Sequence, residues 1–280
     1  MDDSLRLFVQ KISKLPTLPS IAQEILNAVN QDTVSVDRLE AIIEKDPTLA
    51  ARILGIANSA FFGAGAAVTS VSNAIIRIGF NNVKYASLGV ALMTVLDRNH
   101  GNAPLDSRRI YQHSIAVALL GKTLARDTGV VDPDDAFVCG VLHDIGLLVL
   151  NSYCGEAYRA VMAAFQDKAS LLEAESAVLG FTHAEIGLWL ADQWNLPGII
   201  LDTVRFHHQP SAAVRNREIV SLVHIADSIT STSFFRISEK NPYFGPEAAS
   251  LAHLNWSPAM LETFAAGFDR TLFSGELFSP

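Results

Sequence analysis

Eight histidines stand in the chain, and five of them, together with two aspartates, are spaced so that they can share one task. His113 lies within a helical stretch from Asp106 to Asp127, and His143 and Asp144 stand side by side on a helix opened by Pro133. His183 follows Thr182, a residue type that caps helix N-termini. His207 and His208 close the stretch from Ile199 to His208, and Asp227 lies on the stretch from Glu218 to Thr230. Imidazole nitrogen and carboxylate oxygen together suit first-row transition ions, so the set points to a divalent Fe, Mn, Zn or Ni. An aspartate between two such ions can bridge them, and a paired site can generate a hydroxide and orient it against a phosphodiester. Successive helical residues diverge by about 100°, so His143 and Asp144 reach one ion only from a shared ridge. The competing account makes each histidine a hydrogen-bonded core residue. It suits His100, His224 and His253 taken singly; His224, one helical turn before Asp227, also suits a supporting hydrogen bond to the set.

Side chains so far apart in sequence need rigid elements to bring them together. Asp46-Pro47, Asp132-Pro133 and Ser257-Pro258 each pair a capping residue with a proline at the first helical position. After the first of these, Leu49, Ile53, Leu54, Ile56 and Ala57 repeat at helical spacing. Gly79 and Gly129 stand where helices stop. Period-two runs of Val, Ile and Thr are missing, so the pattern predicts an all-α, multi-helix bundle in which an N-terminal helical subdomain packs on a second helical subdomain. The first occupies residues 1–100 and ends at the polar stretch Asp97 to Asn102. The second occupies 105–235 and carries the seven candidate residues; a C-terminal helical tail, 236–280, follows a break at Ser238 to Pro242.

Apolar residues make up 49% of the 280 and charged residues 18%, a ratio that builds a core and argues against disorder. The net charge is −8, and the densest basic stretches are Arg108-Arg109 and the pair Arg215 and Arg217. Nucleic acid is therefore not an expected partner, because phosphate backbones are held by clustered cations. Cys139 and Cys154 are too few for a disulfide framework and read as reduced core residues. The start Met1-Asp2-Asp3-Ser4 lacks the apolar stretch of a secretory signal, and uncharged runs such as Ala86 to Leu96 are too short to cross a bilayer. The expected compartment is the cytoplasm, with no membrane partner.

The setting of these residues adds a resemblance. GVLHDIG at 140–146, with His113-Ser114, HAEIG at 183–187, WNLP at 194–197 and the pair His207-His208, resembles the HD superfamily. LPTLP at 15–19, DPTLAARILGIANSAFFG at 46–63 and SVSNAIIRIGFNNV at 70–83 narrow this to the HD-related output domain, HDOD, over roughly residues 8–235. The resemblance implies an HD-like helical half preceded by a characteristic helical half, in bacterial signalling proteins. Read as local structure, the N-terminal motifs are a cap at Asp46-Pro47, core positions at Leu15, Leu18, Ile53, Leu54 and Ile56, and a helix end at Asn58-Ser59 that orders the loop of Gly63 and Gly65. Carried over by position, the resemblance places His113, His143, Asp144 and Asp227 around one ion. It places His183, His207 and His208 around a second, with Asp144 bridging. Two departures bear on activity. Catalytic HD-GYP phosphodiesterases carry a lysine directly after HDIG, where this chain has Leu147, and a Gly-Tyr-Pro loop after the histidine pair, where it has Gln209-Pro210-Ser211. The missing cation removes one stabiliser of developing phosphate charge. The leading expectation is a regulatory protein that binds a protein partner or a small-molecule ligand around a metal-containing core. A metal-dependent phosphohydrolase and a metal or redox sensor are the alternatives.

Overall fold

Capping residues start the helices where the sequence places them. In the computed structural model, which describes Leu5, Phe8 and residues 20–31, 33–63, 65–97, 103–166, 170–233 and 245–268, the N-terminal half comprises α1 (Ser20–Val29), α2 (Val36–Ile43), α3 (Pro47–Ala57), α4 (Val71–Ile78) and α5 (Phe80–Asp97). Asp46 accepts the backbone N–H groups of Thr48 and Leu49, and Ser70 accepts that of Asn73. Each side chain thus satisfies donors that a helix start leaves open. Asn58 ends α3 and fastens the following loop at both backbone groups of Val68, donating to its carbonyl at 2.8 Å and accepting its N–H at 2.7 Å. The polar stretch beyond Asp97 (98–102), the break at 238–242 and the motif at 15–19 lie outside the described residues.

The second half comprises α6 (Ser107–Thr128), α7 (Pro133–Leu142), α8 (Ile145–Tyr153), α9 (Gly155–Ala164), α10 (Leu171–Leu179), α11 (His183–Gln193), α12 (Gly198–Phe206) and α13 (Arg217–Ser233). Two short helices follow, α14 (Ala248–His253) and α15 (Pro258–Gly267). No strand occurs among the described residues, and the architecture is the expected all-α bundle. Helix α6 packs on α7 and α13, α8 packs on α11, and α11 packs on α12. These pairs bring the sequence-distant histidines together.

The halves meet across α5, which packs on α1 and also on α7. At that seam the buried Lys122 ammonium pairs with Asp134, whose carboxylate also accepts Asn82 Nδ2 at 2.8 Å. The same ammonium lies 5.8 Å from the Phe62 ring and 5.7 Å from the Phe137 ring, a cation–π arrangement. Asn82 and Phe62 belong to the N-terminal half, so the pair on α6 and α7 holds the two halves by polar and aromatic contacts together.

Two expectations change. The helix opened by Pro133 does not run through His143 and Asp144: α7 ends at Leu142 and α8 begins at Ile145. Asp144 between them has φ −102° and ψ 20°, in the sparsely populated bridge region where active-site residues are often found. The stretch Pro133–Tyr153, moreover, is long and apolar enough to cross a membrane by length and composition alone. It is broken at Asp144, and most of it is buried inside the protein as core.

Candidate metal centre

The break between α7 and α8 solves the geometric problem of adjacent ligands. On an unbroken helix His143 and Asp144 point about 100° apart; with the chain bent between them, His143 Nε2 comes within 3.3 Å of Asp144 Oδ2. His143 is held at the helix end by its Nδ1–H, which donates to Gly140 O at 2.8 Å. Two glycines set the depth of this corner. A Cβ on Gly140 would lie 2.5 Å from Ala118 Cα, so only glycine lets α7 press against α6, the helix of His113. A Cβ on Gly146 would lie 1.9 Å from the carbonyl oxygen of His183, and Gly187 faces it across the same contact. The glycines of HDIG and HAEIG therefore let α8 and α11 touch backbone to backbone, which sets His183 beside Asp144.

His183 is the first residue of α11, fixed by a capping box in which Thr182 and Glu185 satisfy each other's backbone N–H groups. Helix α12 ends at Phe206, two residues short of the expected end at His208, and His207 is its C-cap. His207 donates its Nδ1–H to Val204 O at 3.0 Å. Asp227 projects from α13 and accepts the Ser231 hydroxyl at 3.0 Å.

The structure brings all seven sequence-predicted residues into one cluster, with Asp144 at its centre. Its Oδ2 faces His143 at 3.3 Å and His113 at 3.9 Å, while its Oδ1 faces His207 at 3.4 Å and His183 at 3.5 Å. The carboxylate thus turns one oxygen to each of the two groups. His113 Nε2 also lies 3.0 Å from Asp227 Oδ1, and His208 Nε2 lies 3.1 Å from His183 Nε2. Of the seven, only His208 is partly exposed.

The tautomers follow from these partners. A backbone carbonyl only accepts, so His143 and His207 carry hydrogen on Nδ1 and aim Nε2 at Asp144. Their Nε2 atoms and Asp144 Oδ1 are buried without a hydrogen-bond partner. Buried ring nitrogens and a carboxylate oxygen that face one another without a hydrogen bond call for positive charge among them, from a ring proton or from a bound ion. Ligand atoms about 2.1 Å from one tetrahedral ion stand about 3.4 Å apart, and the Nε2-to-oxygen distances of His143, His207 and His183 are 3.3, 3.4 and 3.5 Å. The donor atoms of Asp144, His183, His207 and His208 all lie within 4.8 Å of one another, as do those of His113, His143 and Asp144. The residues fit a divalent ion.

The electrostatics divide the imidazoles. Burial disfavours the charged form of His143, but the neighbouring carboxylates of Asp144, first, and Asp227 outweigh it and raise the pKa to about 9. His183 also rises, because Glu175 and Asp144 overcome its burial. His207 falls through burial and the neighbouring positive charge of His143. His208 falls well below the usual range through burial and the charges of His207 and His183. Burial pushes both carboxylates up, yet the imidazoles hold Asp144 well below its ordinary value and Asp227 below its own. His207 and His208 are thereby kept as neutral imidazoles, the form that ligates metals.

Sequence reasoning did not single out Glu175 or Tyr158. Glu175 is fully buried on α10 and accepts the backbone N–H of His183 at 2.8 Å, its Nδ1–H at 2.8 Å, and the Tyr158 hydroxyl at 2.8 Å. The available signal was its place on an apolar stripe with Leu171 and Leu179, four residues away on either side. His224 supports the centre from α13: its Nδ1–H donates to His207 O at 2.6 Å and its Nε2 accepts the Glu247 backbone N–H at 3.0 Å, which occupies both ring nitrogens. His253 Nδ1 bonds the Ser221 hydroxyl, and His100 lies outside the described residues. A cleft of 820 Å³ opens beside the cluster, lined among others by Ser176, Thr182, Glu185, Arg205, His208 and Gln209. Leu147 is 1% exposed and packs in the core.

The family model of the HDOD domain matches residues 15–210. By sequence the chain is 28% identical over 222 residues to an uncharacterized protein of Treponema pallidum (strain Nichols), covering 78% of this chain and 42% of that protein. It is 28% identical over 125 residues to a ribonuclease Y of Mycoplasma mycoides, covering 45% of this chain and 23% of that enzyme. The chain therefore spans less than half the length of these relatives. By structure it matches an HDOD domain protein of Geobacter sulfurreducens, of unknown function, with a TM-score of 0.72 and 27% identity over 96% of this chain and 90% of the other. A protein of Shewanella amazonensis SB2B, provisionally assigned as a phosphohydrolase, shares the fold with a TM-score of 0.73 and 24% identity, over 97% of both chains.

Proposed function

This chain belongs to the HDOD family, and on that premise we propose that it is a regulatory signalling protein whose HD-like half holds divalent transition metal in a closed centre, and that it acts by binding a protein partner or a small-molecule ligand. The observation that carries the metal is the set of unpartnered Nε2 and carboxylate atoms around Asp144, spaced as the edges of a tetrahedral ion site. His113, His143, Asp144 and Asp227 would hold it on one side, and Asp144, His183, His207 and His208 on the other. When bound, the metal supplies Lewis acidity and a bound water of lowered pKa. The residues' own contribution is to present neutral imidazole at His207 and His208 and to keep solvent from all of the centre but its His208 end. The regulatory role is supported by the family and by Leu147, which stands buried where catalytic relatives of the HD-GYP type carry a lysine. Both cysteines are buried and free, which supports the cytoplasm as the compartment.

A second reading, a metal-dependent phosphohydrolase, is favoured by the cleft. His208 lines it beside Thr182, Arg205 and Gln209, so one end of the cluster is reachable from outside. The experiment pairs two measurements. Elemental analysis of protein purified without added metal should find a first-row ion in the wild type and little in His143→Ala; equal, negligible metal in both refutes the centre. Incubation with cyclic di-GMP and Mn(II) or Fe(II) should leave the nucleotide intact. Linear product that disappears with Asp144→Ala establishes the phosphohydrolase in place of the regulatory reading.

A further inference from the structure

We propose that Glu175, backed by the Tyr158 hydroxyl, is the positioning residue that locks the His183 ring against Asp144 and strengthens the cleft-facing end of the centre. The inference rests on the metal reading above and concerns residues that the HD-type motifs do not contain. Glu175 is 0% exposed, and its carboxylate meets three donors: the His183 backbone N–H, the His183 Nδ1–H and the Tyr158 O–H, each at 2.8 Å. Holding both the backbone and the ring of one residue fixes the ring's position as well as its tautomer. With Nδ1–H spent on Glu175, Nε2 is left facing Asp144 Oδ1 at 3.5 Å and His208 Nε2 at 3.1 Å.

The support is anionic, unlike that of its neighbours. His143 and His207 rest their Nδ1–H groups on neutral carbonyls, those of Gly140 and Val204. A carboxylate behind a ligating histidine raises the basicity of the far nitrogen and orients it. Helix α10 therefore does two things: Leu172, Glu173 and Ser176 line the cleft, while Glu175 reaches the other way to His183. A glutamine at 175 has one acceptor oxygen for three donors, and its amide turns further donors towards them.

The test uses the full chain stripped of metal, with Mn(II) as the probe, and two variants. Glu175→Gln should weaken Mn(II) binding by about 10–100-fold, and Tyr158→Phe, which leaves the carboxylate in place, should weaken it less but in the same direction. In the metal-free wild type, 15N-histidine NMR should show a slowly exchanging, far-downfield proton on His183 Nδ1 that is lost in Glu175→Gln, while thermal unfolding shows both variants folded. If Glu175→Gln fails to fold, Tyr158→Phe carries both measurements, its His183 proton moving upfield. Unchanged Mn(II) affinity in the folded variants overturns the proposal, as does a His183 proton indifferent to them. A wild type that takes up no Mn(II), but whose His183 proton depends on Glu175, upholds the positioning role and refutes only the metal centre.

Discussion

Replacing Gly146 with alanine adds one methyl group where the structure has no room for it. The new Cβ would stand 1.9 Å from His183 O and 2.7 Å from Gly187 N, both backbone atoms that cannot swing aside. At an ordinary contact distance of about 3.5 Å, α8 and α11 must part by roughly 1.5 Å. Overpacking of a well-filled core costs about 1–3 kcal/mol, occasionally more, and a clash against backbone belongs at the upper end. Taking about 3 kcal/mol, the melting temperature should fall by roughly 5 °C in a chain of this size. A matched control makes the same chemical change at Gly55, in the last turn of α3, where an added Cβ meets nothing within 4 Å. There the helix preference for alanine should stabilise by about 0.5–1 kcal/mol. Thermal and urea unfolding of both variants would measure the difference. The shift of α11 also carries His183 away from Asp144, so metal content should fall with Gly146→Ala and hold with Gly55→Ala. A Gly146→Ala protein as stable as the wild type would refute the backbone-to-backbone contact, and with it the account of how HDIG and HAEIG place His183.

The seam between the halves gives an asymmetric pair of outcomes. Asp134→Asn strands the buried Lys122 ammonium and should cost about 3 kcal/mol, whereas Lys122→Met leaves only a half-exposed carboxylate and should cost about 1 kcal/mol in urea unfolding. Burial pushes Asp134 up, but its bonds to Lys122 and Asn82 prevail and lower its pKa, so the pair's contribution is present above the ordinary carboxylate range and is lost as pH falls through the lowered value. Unfolding of Asp134→Asn followed against pH should accordingly lack part of the wild type's acid-limb slope. Asn58→Ala removes both partners of the Val68 backbone and should destabilise by about 1–2 kcal/mol, read as a lower urea midpoint.

Much of this architecture is legible in the sequence because the signals are local. Asp46, Ser70, Asp132 and Thr182 each cap the helix they precede, and a side chain that satisfies a backbone N–H two or three residues on leaves its mark within those residues. The seven site residues are legible for a different reason: their motifs recur in a fixed order, and the structure gathers them around Asp144. The break at His143-Asp144 carries no such mark. No proline or glycine stands between Leu142 and Ile145, and the run of apolar residues on both sides reads as one helix. What bends the chain there is tertiary, the close contact of α8 with α11 at Gly146.

Glu175 shows the same limit from the side of charge. Glu173 and Glu175 stand two residues apart in a short helix and look alike in composition, yet one lines an open cleft and the other has no exposed surface. Desolvating a carboxylate costs several kcal/mol unless partners meet it, and no nearby stretch of sequence supplies them. They come from Tyr158 on α9 and from the backbone and ring of His183 at the start of α11. The cost of burying Glu175 is thus offset only when three separate helices assemble, and the group that assembly holds most firmly is the His183 ring. The far nitrogen of that imidazole faces a second buried carboxylate, Asp144, and the two carboxylates together raise the His183 pKa. That arrangement lines up anion, imidazole and anion, and its charge balances when the space between His183 and Asp144 takes a cation.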